Sequence, residues 1–190
     1  MANFLTQTNI ARIAKVLALL FFVLPWVTVS CADQTLVSMT GLDMATGHIN
    51  MAANPLAEAG ASMPTPASHG GDLFVILGAV LILAALAASF ILKGRTGALA
   101  GMAGSAAAAL CLAYAVLVRI PGAARADIAA SAGGTGSGAG SPSPEQIAQM
   151  IRVNVEIGFY LCLLALIAAV VFNFLAMRSA PPTAAPPDTA

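Results

Sequence analysis

Residues 73–92 read LFVILGAVLILAALAASFIL and contain no charged side chain. A helix needs about 20 predominantly apolar residues to cross the hydrocarbon core of a bilayer, so this stretch has the character of a transmembrane helix. Two further stretches of similar length, residues 98–118 and 157–177, are also uncharged. The sequence therefore predicts an all-α membrane protein.

A first apolar stretch is less regular than the other three. Residues 16–29 are uncharged but short, and the segment approaches spanning length only with Ile13, Ala14 and Lys15. A lysine near the end of a span can extend its ammonium group to the lipid headgroups. We therefore predict a bundle of four transmembrane helices. They cover about residues 13–29, 73–92, 98–118 and 157–177.

The composition agrees with lipid as the solvent for much of this chain. Of the 190 residues, 59% are hydrophobic and 8% are charged, and the mean hydropathy is +0.88. A soluble domain carries about 25% charged residues. Eight basic and eight acidic residues give a formal net charge of zero, so no basic surface for nucleic acid is expected. The three cysteines are too scattered for a disulfide scaffold or a zinc knuckle.

The basic residues indicate the orientation in the membrane. Five of them lie at those ends of the predicted helices that would share one side of the membrane: Arg12, Lys15, Lys93, Arg95 and Arg178. No Lys or Arg lies between Lys15 and Lys93. Because cytoplasmic loops are enriched in Lys and Arg, the pattern predicts that both termini are cytoplasmic. The abundance of Ala, Gly and Pro is typical of GC-rich bacteria, and we predict a multi-pass protein of the bacterial inner membrane.

The chain is predicted to form a single transmembrane domain over residues 1–177. Its outer loops would cover residues 30–72 and 119–156, and the Pro/Ala-rich residues 178–190 would form a disordered cytoplasmic tail. A helix-start pattern at Ser143–Gln146 predicts that the last helix begins near Pro144, outside the bilayer.

The first outer loop is predicted to contain a short β-like segment. Residues 35–40 favour a strand, and two glycines bracket residues 41–47 as in a tight turn. These elements are more sharply specified than a solvated connector requires.

The stretch LPWVTVSC, residues 24–31, closes the first apolar segment and allows more than one interpretation. The whole segment also fits a cleaved signal peptide or a lipoprotein signal with an acylated cysteine. It has basic residues at its start, then an apolar run, and small residues before Cys31. However, Thr28 stands where a lipoprotein signal normally has an aliphatic residue, and Trp26 favours the membrane–water interface. We expect a retained helix with Pro25 and Trp26 at its outer rim, and the lipidated form is the alternative.

Small residues recur at four-residue spacing in the third predicted helix. They are Gly97, Gly101, Gly104 and Ser105. Such residues line one helix face and let a neighbouring backbone approach closely, so we predict that they pack the bundle against itself, with a dimer interface as the alternative. Asn173, the most polar residue of the fourth helix, is predicted to form an interhelical hydrogen bond or to be an interface residue rather than to belong to a permeation route.

The first outer loop carries a resemblance. Pro25-Trp26, Ser30-Cys31, Thr40-Gly41-Leu42 and Ala45-Thr46-Gly47 resemble the first-loop pattern of uncharacterised short bacterial four-helix membrane proteins. This resemblance implies a four-helix fold and no activity. The layout is also similar in outline to claudin-type tetraspan proteins. Those proteins have paired cysteines in the first outer loop, whereas Cys31 has no second cysteine there, so their function is not carried over.

Several soft donor groups of the first outer loop are candidate metal ligands. They are Met44, His48, Met51 and Cys31. Thioether, imidazole and thiolate groups suit copper(I), and Met44, His48 and Met51 would share one face of a helix. The alternative is that the methionines fill gaps in a packed loop and the histidine is solvated. No cofactor is predicted.

The sequence favours a non-catalytic role. The glycine-rich residues 133–140 lack the Lys-Ser/Thr of a phosphate loop, and no ionisable side chain is expected deep in the bilayer, where ion-coupled transport needs one. We predict a small scaffold or accessory subunit that binds a membrane-protein partner or a second copy. Its interface would be apolar residues of the first outer loop: Leu36, Leu42 and Met44. The alternatives are an outer-face copper-type or lipidated protein and an oligomeric channel or transporter-like protein.

Overall fold

The computed structural model describes residues 6–31, 34–48, 71–92, 94–123 and 151–179. The first half contains helix α1 (Gln7–Leu20), a 3₁₀ turn (Phe21–Val23), strands β1 (Pro25–Cys31) and β2 (Gln34–Thr40), and the short helix α2 (Gly41–Thr46). Helices α3 (Leu73–Ile91) and α4 (Gly94–Ala123), strand β3 (Ile151–Val155) and helix α5 (Ile157–Ser179) follow. A π-helical turn, Ala115–Arg119, lies within α4.

Among the described residues, three helices are long and apolar enough to cross a membrane. They are α3, α4 and α5, with mean hydropathies of 2.8, 1.9 and 2.5. Each coincides with one of the three uncharged stretches of the sequence. Helix α1 has 14 residues and is shorter than these three. The protein is therefore mainly helical, with three helices that can span a membrane and a small sheet.

The four long helices pack side by side around an apolar core. α1 contacts α5 and α3, and α4 contacts α3 and α5, so the helices form a closed ring. Each contributes fully buried side chains to the centre, among them Ala18, Ile82, Leu112 and Leu166. Their opposite faces expose large apolar side chains such as Leu164. Such apolar outer faces are suited to lipid rather than to water.

A three-stranded antiparallel sheet lies at one end of the bundle, with the strand order β2-β1-β3. Val29 in the central strand pairs with Val37 of β2 and with Val153 of β3. The β-branched residues of all three strands favour this pleated arrangement. The prediction of a β-like segment in the first outer loop is confirmed by β2. This strand pairs with β1, which also pairs with β3, so the segment is part of a sheet.

The predicted helix over residues 13–29 differs from the structure at both ends. α1 begins at Gln7 and ends at Leu20, and Pro25–Cys31 forms the central strand of the sheet. Pro25 lacks the backbone N–H that a helix interior needs. The Val-Thr-Val run that follows favours a strand, and pairing on both sides satisfies its backbone groups.

The prediction of one helix from near Pro144 to Met177 is wrong at residues 151–155. These residues form β3, and α5 begins at Ile157. The segment reads IRVNV, whose alternation of apolar and polar residues has the period of a strand. Pro144 lies outside the described residues. The turn predicted over residues 41–47 is helix α2, closed by Gly47 in a left-handed conformation with φ of 76°.

Candidate functional site

Trp26 joins the sheet to the helical bundle. Its side chain is 0% exposed, and its ring centroid lies 4.5 Å from that of Phe22 and 5.7 Å from that of Phe159. The indole N–H donates to the carbonyl oxygen of Phe21 at 2.8 Å, so the one polar atom of this ring is satisfied. The ring is therefore not half exposed to an interface, as the preference of tryptophan for the membrane–water boundary would suggest, because Phe22, Phe159 and Gly41 enclose it.

Two glycines make room for this junction. A Cβ at Gly41 would lie 2.7 Å from the Trp26 ring, and a Cβ at Gly158 would lie 2.5 Å from the carbonyl oxygen of Pro25. Both gaps are shorter than ordinary van der Waals contact. Larger residues at these positions would push the sheet away from the helices.

Polar contacts attach the sheet and α2 to the starts of α5 and α3, the latter through the Asp72 N–H, which donates to the Met44 carbonyl at 2.8 Å. The backbone N–H of Glu156 donates to the Trp26 carbonyl at 2.8 Å, and the hydroxyl of Thr28 donates to a Glu156 carboxylate oxygen at 2.7 Å. Asp72 caps the start of α3 and forms an ion pair of 3.2 Å with Arg119 of α4. We refer to β1, β2, β3 and α2 together as the sheet platform. It is fixed to the bundle on several sides.

Helix α2 is the part of the platform with a defined capping structure. The Thr40 hydroxyl accepts from the Asp43 N–H, and the Asp43 carboxylate accepts from the Thr40 N–H, which forms a capping box. Leu42 is 53% exposed, whereas Met44 is 7% exposed and belongs to the core. Residues that are two positions apart on a helix point to nearly opposite faces. Met44 is therefore not part of an exposed partner surface, contrary to the prediction.

Of the predicted metal ligands, Met44 and His48 do not share a helix face. α2 ends at Thr46, so His48 lies beyond the helix that holds Met44, and it is exposed. The backbone of Cys31 lies in β1 and that of Leu36 in β2, but their side chains are outside the described structure, as is all of Met51. Within the described residues, no three His, Cys, Asp or Glu side chains form a group that could hold a metal ion.

A second candidate site lies at the opposite end of the bundle. A cavity of about 450 Å³ opens among the ends of α1, α3, α4 and α5, and we call it the polar cavity. Its lining includes Arg12, Ser89, Gly97 and Asn173. Hydroxyl and amide side chains of the helix ends, Thr6, Gln7 and Ser179 among them, complete it. Its volume falls in the range of about 300–1,000 Å³ that is typical of small-molecule sites.

Lys15 is completely buried behind the wall of this cavity. Its ammonium group donates to the Ser89 hydroxyl at 2.6 Å and to the Ala85 carbonyl at 3.2 Å. The Ser89 hydroxyl in turn donates to the Ala85 carbonyl at 2.7 Å. The prediction that Lys15 extends its ammonium group to the headgroups is therefore wrong. Acceptors on α3 hold the ammonium group inside.

Gly101 provides the space for this ammonium group. A Cβ at this position would lie 2.7 Å from Lys15 Nζ and 3.1 Å from Asn173 Oδ1. At Gly101 the small-residue face of α4 thus makes room for the Lys15 side chain. At Gly104, a Cβ would lie 2.7 Å from the Ala85 Cβ, so this position does bring two helices together. Gly97 lies against the Leu92 backbone, and the buried Ser105 hydroxyl donates to the Gly101 carbonyl at 2.8 Å.

Arg12 and Asn173 face the cavity. The Arg12 guanidinium donates to the Ser89 carbonyl and lies over the Phe90 ring, 4.4 Å from its centroid. Its Nε is buried and has no hydrogen-bond partner within the described residues. The Asn173 amide nitrogen donates to the Ala169 carbonyl of its own helix at 2.7 Å, so this bond is not the interhelical one that was predicted.

Sequence reasoning missed this cluster, although two signals were present. Arg12 and Lys15 are three residues apart and share one helix face. Ser89 is the one hydroxyl residue of the apolar stretch 73–92 and lies at the same end of the bundle. Two cations on one helix and a single hydroxyl group at the same end of another apolar helix indicate a buried polar contact.

The sheet platform and the polar cavity are the two candidate sites of the described structure. Comparison with protein-family models, with curated proteins and with solved structures found no match to this chain.

Proposed function

We propose that this protein is a non-catalytic integral membrane protein, a small scaffold or accessory subunit that presents its sheet platform to another membrane protein. The observation that supports this role is the attachment of the platform through the buried Trp26. A binding surface that is already fixed loses little conformational freedom on association, which lowers the cost of binding. A flexible connector would not need this construction.

We also propose that α1 and the 3₁₀ turn form the fourth transmembrane helix. The Ser179 hydroxyl contacts the Gln7 side chain at 3.2 Å at one end of α5, and Trp26 packs on Phe159 at the other end. α1 and the turn therefore extend along most of α5. Their rise is about 27 Å, close to the hydrocarbon thickness of about 30 Å.

The orientation follows from the same arrangement. If four helices cross the membrane, both termini lie on one side, and the distribution of Lys and Arg favours the cytoplasm of a bacterial inner membrane. The sheet platform then faces outward and the polar cavity faces the cytoplasm.

Cysteine labelling tests this topology. In a background without the native cysteines, a cysteine at the exposed Thr46 should react with an impermeant maleimide in intact spheroplasts. A cysteine at the exposed Arg95 should react only after permeabilisation. Gly41, at the other end of the same helix, is unsuitable as a probe because it is buried under Trp26. Labelling of Arg95 from outside would contradict the proposed orientation.

Leu42 is the residue through which we propose that the platform contacts its partner. It is a large apolar side chain that is more than half exposed on a helix fixed at both ends by Thr40 and Gly47. Contiguous exposed apolar patches commonly mark interaction sites, and Leu42 is the residue of the predicted patch that the described structure exposes. The proposed occupant is an apolar surface of another membrane protein at the same level, since the platform adjoins the bundle directly.

The substitution Leu42→Asp should abolish co-purification of this partner, because it would place a carboxylate in an apolar interface. Asn154→Asp is the matched control, since it adds the same charge at an exposed position of β3 on the opposite edge of the sheet. A photo-crosslinking residue in place of Leu42 captures the partner in native membranes. The partner found in this way is then tagged, and its purification is tested for the presence of this protein. Unchanged co-purification with Leu42→Asp would reject the interface, and a crosslink to a second copy would assign it to self-association.

A further inference from the structure

The polar cavity is built around two cations without a carboxylate partner among the described residues. Arg12 and Lys15 both donate to Ser89, one to its carbonyl and the other to its hydroxyl, which brings their charged groups to the same residue. The acidic residues of the described structure are Asp43, Asp72 and Glu156, and all three lie at the platform end. The one ion pair described is also at that end.

Burying these two cations is costly when the cavity holds no anion. Buried charges in proteins are normally paired, because removing an ion from water costs several kcal/mol or more. Lys15 has neutral acceptors only, and like charge on the neighbouring Arg12 adds repulsion. An anion in the cavity would offset both effects.

The cavity has the donors and the position for such an anion. Arg12 lines it, and its guanidinium group has further N–H donors beside the one that bonds to the Ser89 carbonyl. Lys15 lies behind Ser89 and Asn173, so it would act through its charge and Arg12 through direct hydrogen bonds. The rim is made of hydroxyl and amide side chains at the helix ends, where a bilayer has its headgroups.

We propose that the polar cavity binds a phosphate group, with Arg12 as its direct ligand and Lys15 as the buried charge that strengthens binding. A guanidinium group matches phosphate oxygens with paired donors, and basic pockets between helices on the cytoplasmic side suit anionic lipid headgroups. The phosphate belongs either to an anionic phospholipid or to a free phosphate compound. This site is independent of the platform, and its test does not involve the membrane-protein partner.

The test uses the full-length protein in nanodiscs and measures its unfolding temperature. One arm compares phosphatidylcholine alone with phosphatidylcholine plus phosphatidylglycerol. The other arm adds inorganic phosphate to phosphatidylcholine nanodiscs, with chloride at equal ionic strength as the reference. A ligand that binds only the folded protein raises the unfolding temperature, so one of the two arms should show an increase. The arm that responds identifies the source of the phosphate.

Arg12→Gln should remove the increase and weaken binding about tenfold or more, as expected for loss of a charged hydrogen-bond donor. Arg178→Gln is the control, because Arg178 is an exposed cation at the same end that lies over Phe174 and does not line the cavity. It should retain the response. Ala98→Phe, which fills the cavity without changing its charge, should also abolish binding and serves if Arg12→Gln does not fold.

Lys15→Met separates a ligand-binding role of Lys15 from a structural one. We expect it to raise the unfolding temperature in phosphatidylcholine alone, because it removes an uncompensated charge while keeping a long apolar side chain. It should also reduce the response to the anionic ligand. No response of the wild-type protein in either arm, or a response that persists in both Arg12→Gln and Ala98→Phe, would overturn the proposal.

Discussion

Replacing Trp26 by alanine is expected to lower the free energy of unfolding by about 3–5 kcal/mol, the usual cost of truncating a fully buried large aromatic side chain. The ring packs between Phe22 and Phe159 and fills the space left by Gly41. Its removal would leave a cavity where the sheet meets the helices, and the indole hydrogen bond to Phe21 would be lost. The sheet platform should then separate from the bundle before the helices unfold.

Denaturant unfolding in detergent, followed by circular dichroism, measures this change. Tyr160→Ala is a suitable control because Tyr160 neighbours Phe159 but is exposed on the outer face of α5. It should change stability by less than about 1 kcal/mol. A similarly small effect of Trp26→Ala would mean that the polar contacts of Glu156 and Asp72 alone hold the platform.

The substitution Gly101→Leu is expected to destabilise the protein by about 2–6 kcal/mol. Overpacking a dense interior costs about 1–3 kcal/mol, and displacing an ammonium group from its acceptors adds a similar amount. The added side chain would begin 2.7 Å from Lys15 Nζ and would expel it from Ser89. Ala103→Leu, at an exposed position of the same helix, should have little effect.

A double-mutant cycle identifies the cause of this loss. In a Lys15→Ala background the displaced ammonium group is absent, so Gly101→Leu should be less destabilising than in the wild type. Equal costs in both backgrounds would show that Gly101 is required for close approach of the helix backbones, as the sequence pattern alone suggests, and not for the ammonium group.

The helical part of this fold is largely predictable from the sequence, because long uncharged stretches have few other solutions in lipid. Residues 73–92 illustrate this, since their length and composition alone predict α3. The sheet is harder to predict because its third strand comes from a distant loop. Residues 151–155 alternate like a strand, but the helical spacing of Ile147, Met150 and Ile151 competes with so short an alternation, and pairing with β1 decides between the two.

The candidate sites show a different limit of sequence reasoning. Composition distinguishes charged from apolar residues, but it does not show whether a lysine extends outward or inward. Lys15 turns inward because Ser89 and Gly101, from two other helices, offer an acceptor and a space at the same depth. Similarly, Met44 and Leu42 are both apolar, and only the start of α2 at Gly41 decides which of them is exposed.

The strand order of the sheet has a consequence for biogenesis. In the proposed topology, β1 and β2 are neighbours in the chain and can form a hairpin as soon as the first loop has crossed the membrane. β3 is synthesised only after α3 and α4, and it reaches β1 only if both helices have inserted and brought the second loop to the same side. A misinserted chain would keep a bare strand edge, which is prone to aggregation. Completion of the sheet thus reports that membrane insertion has succeeded.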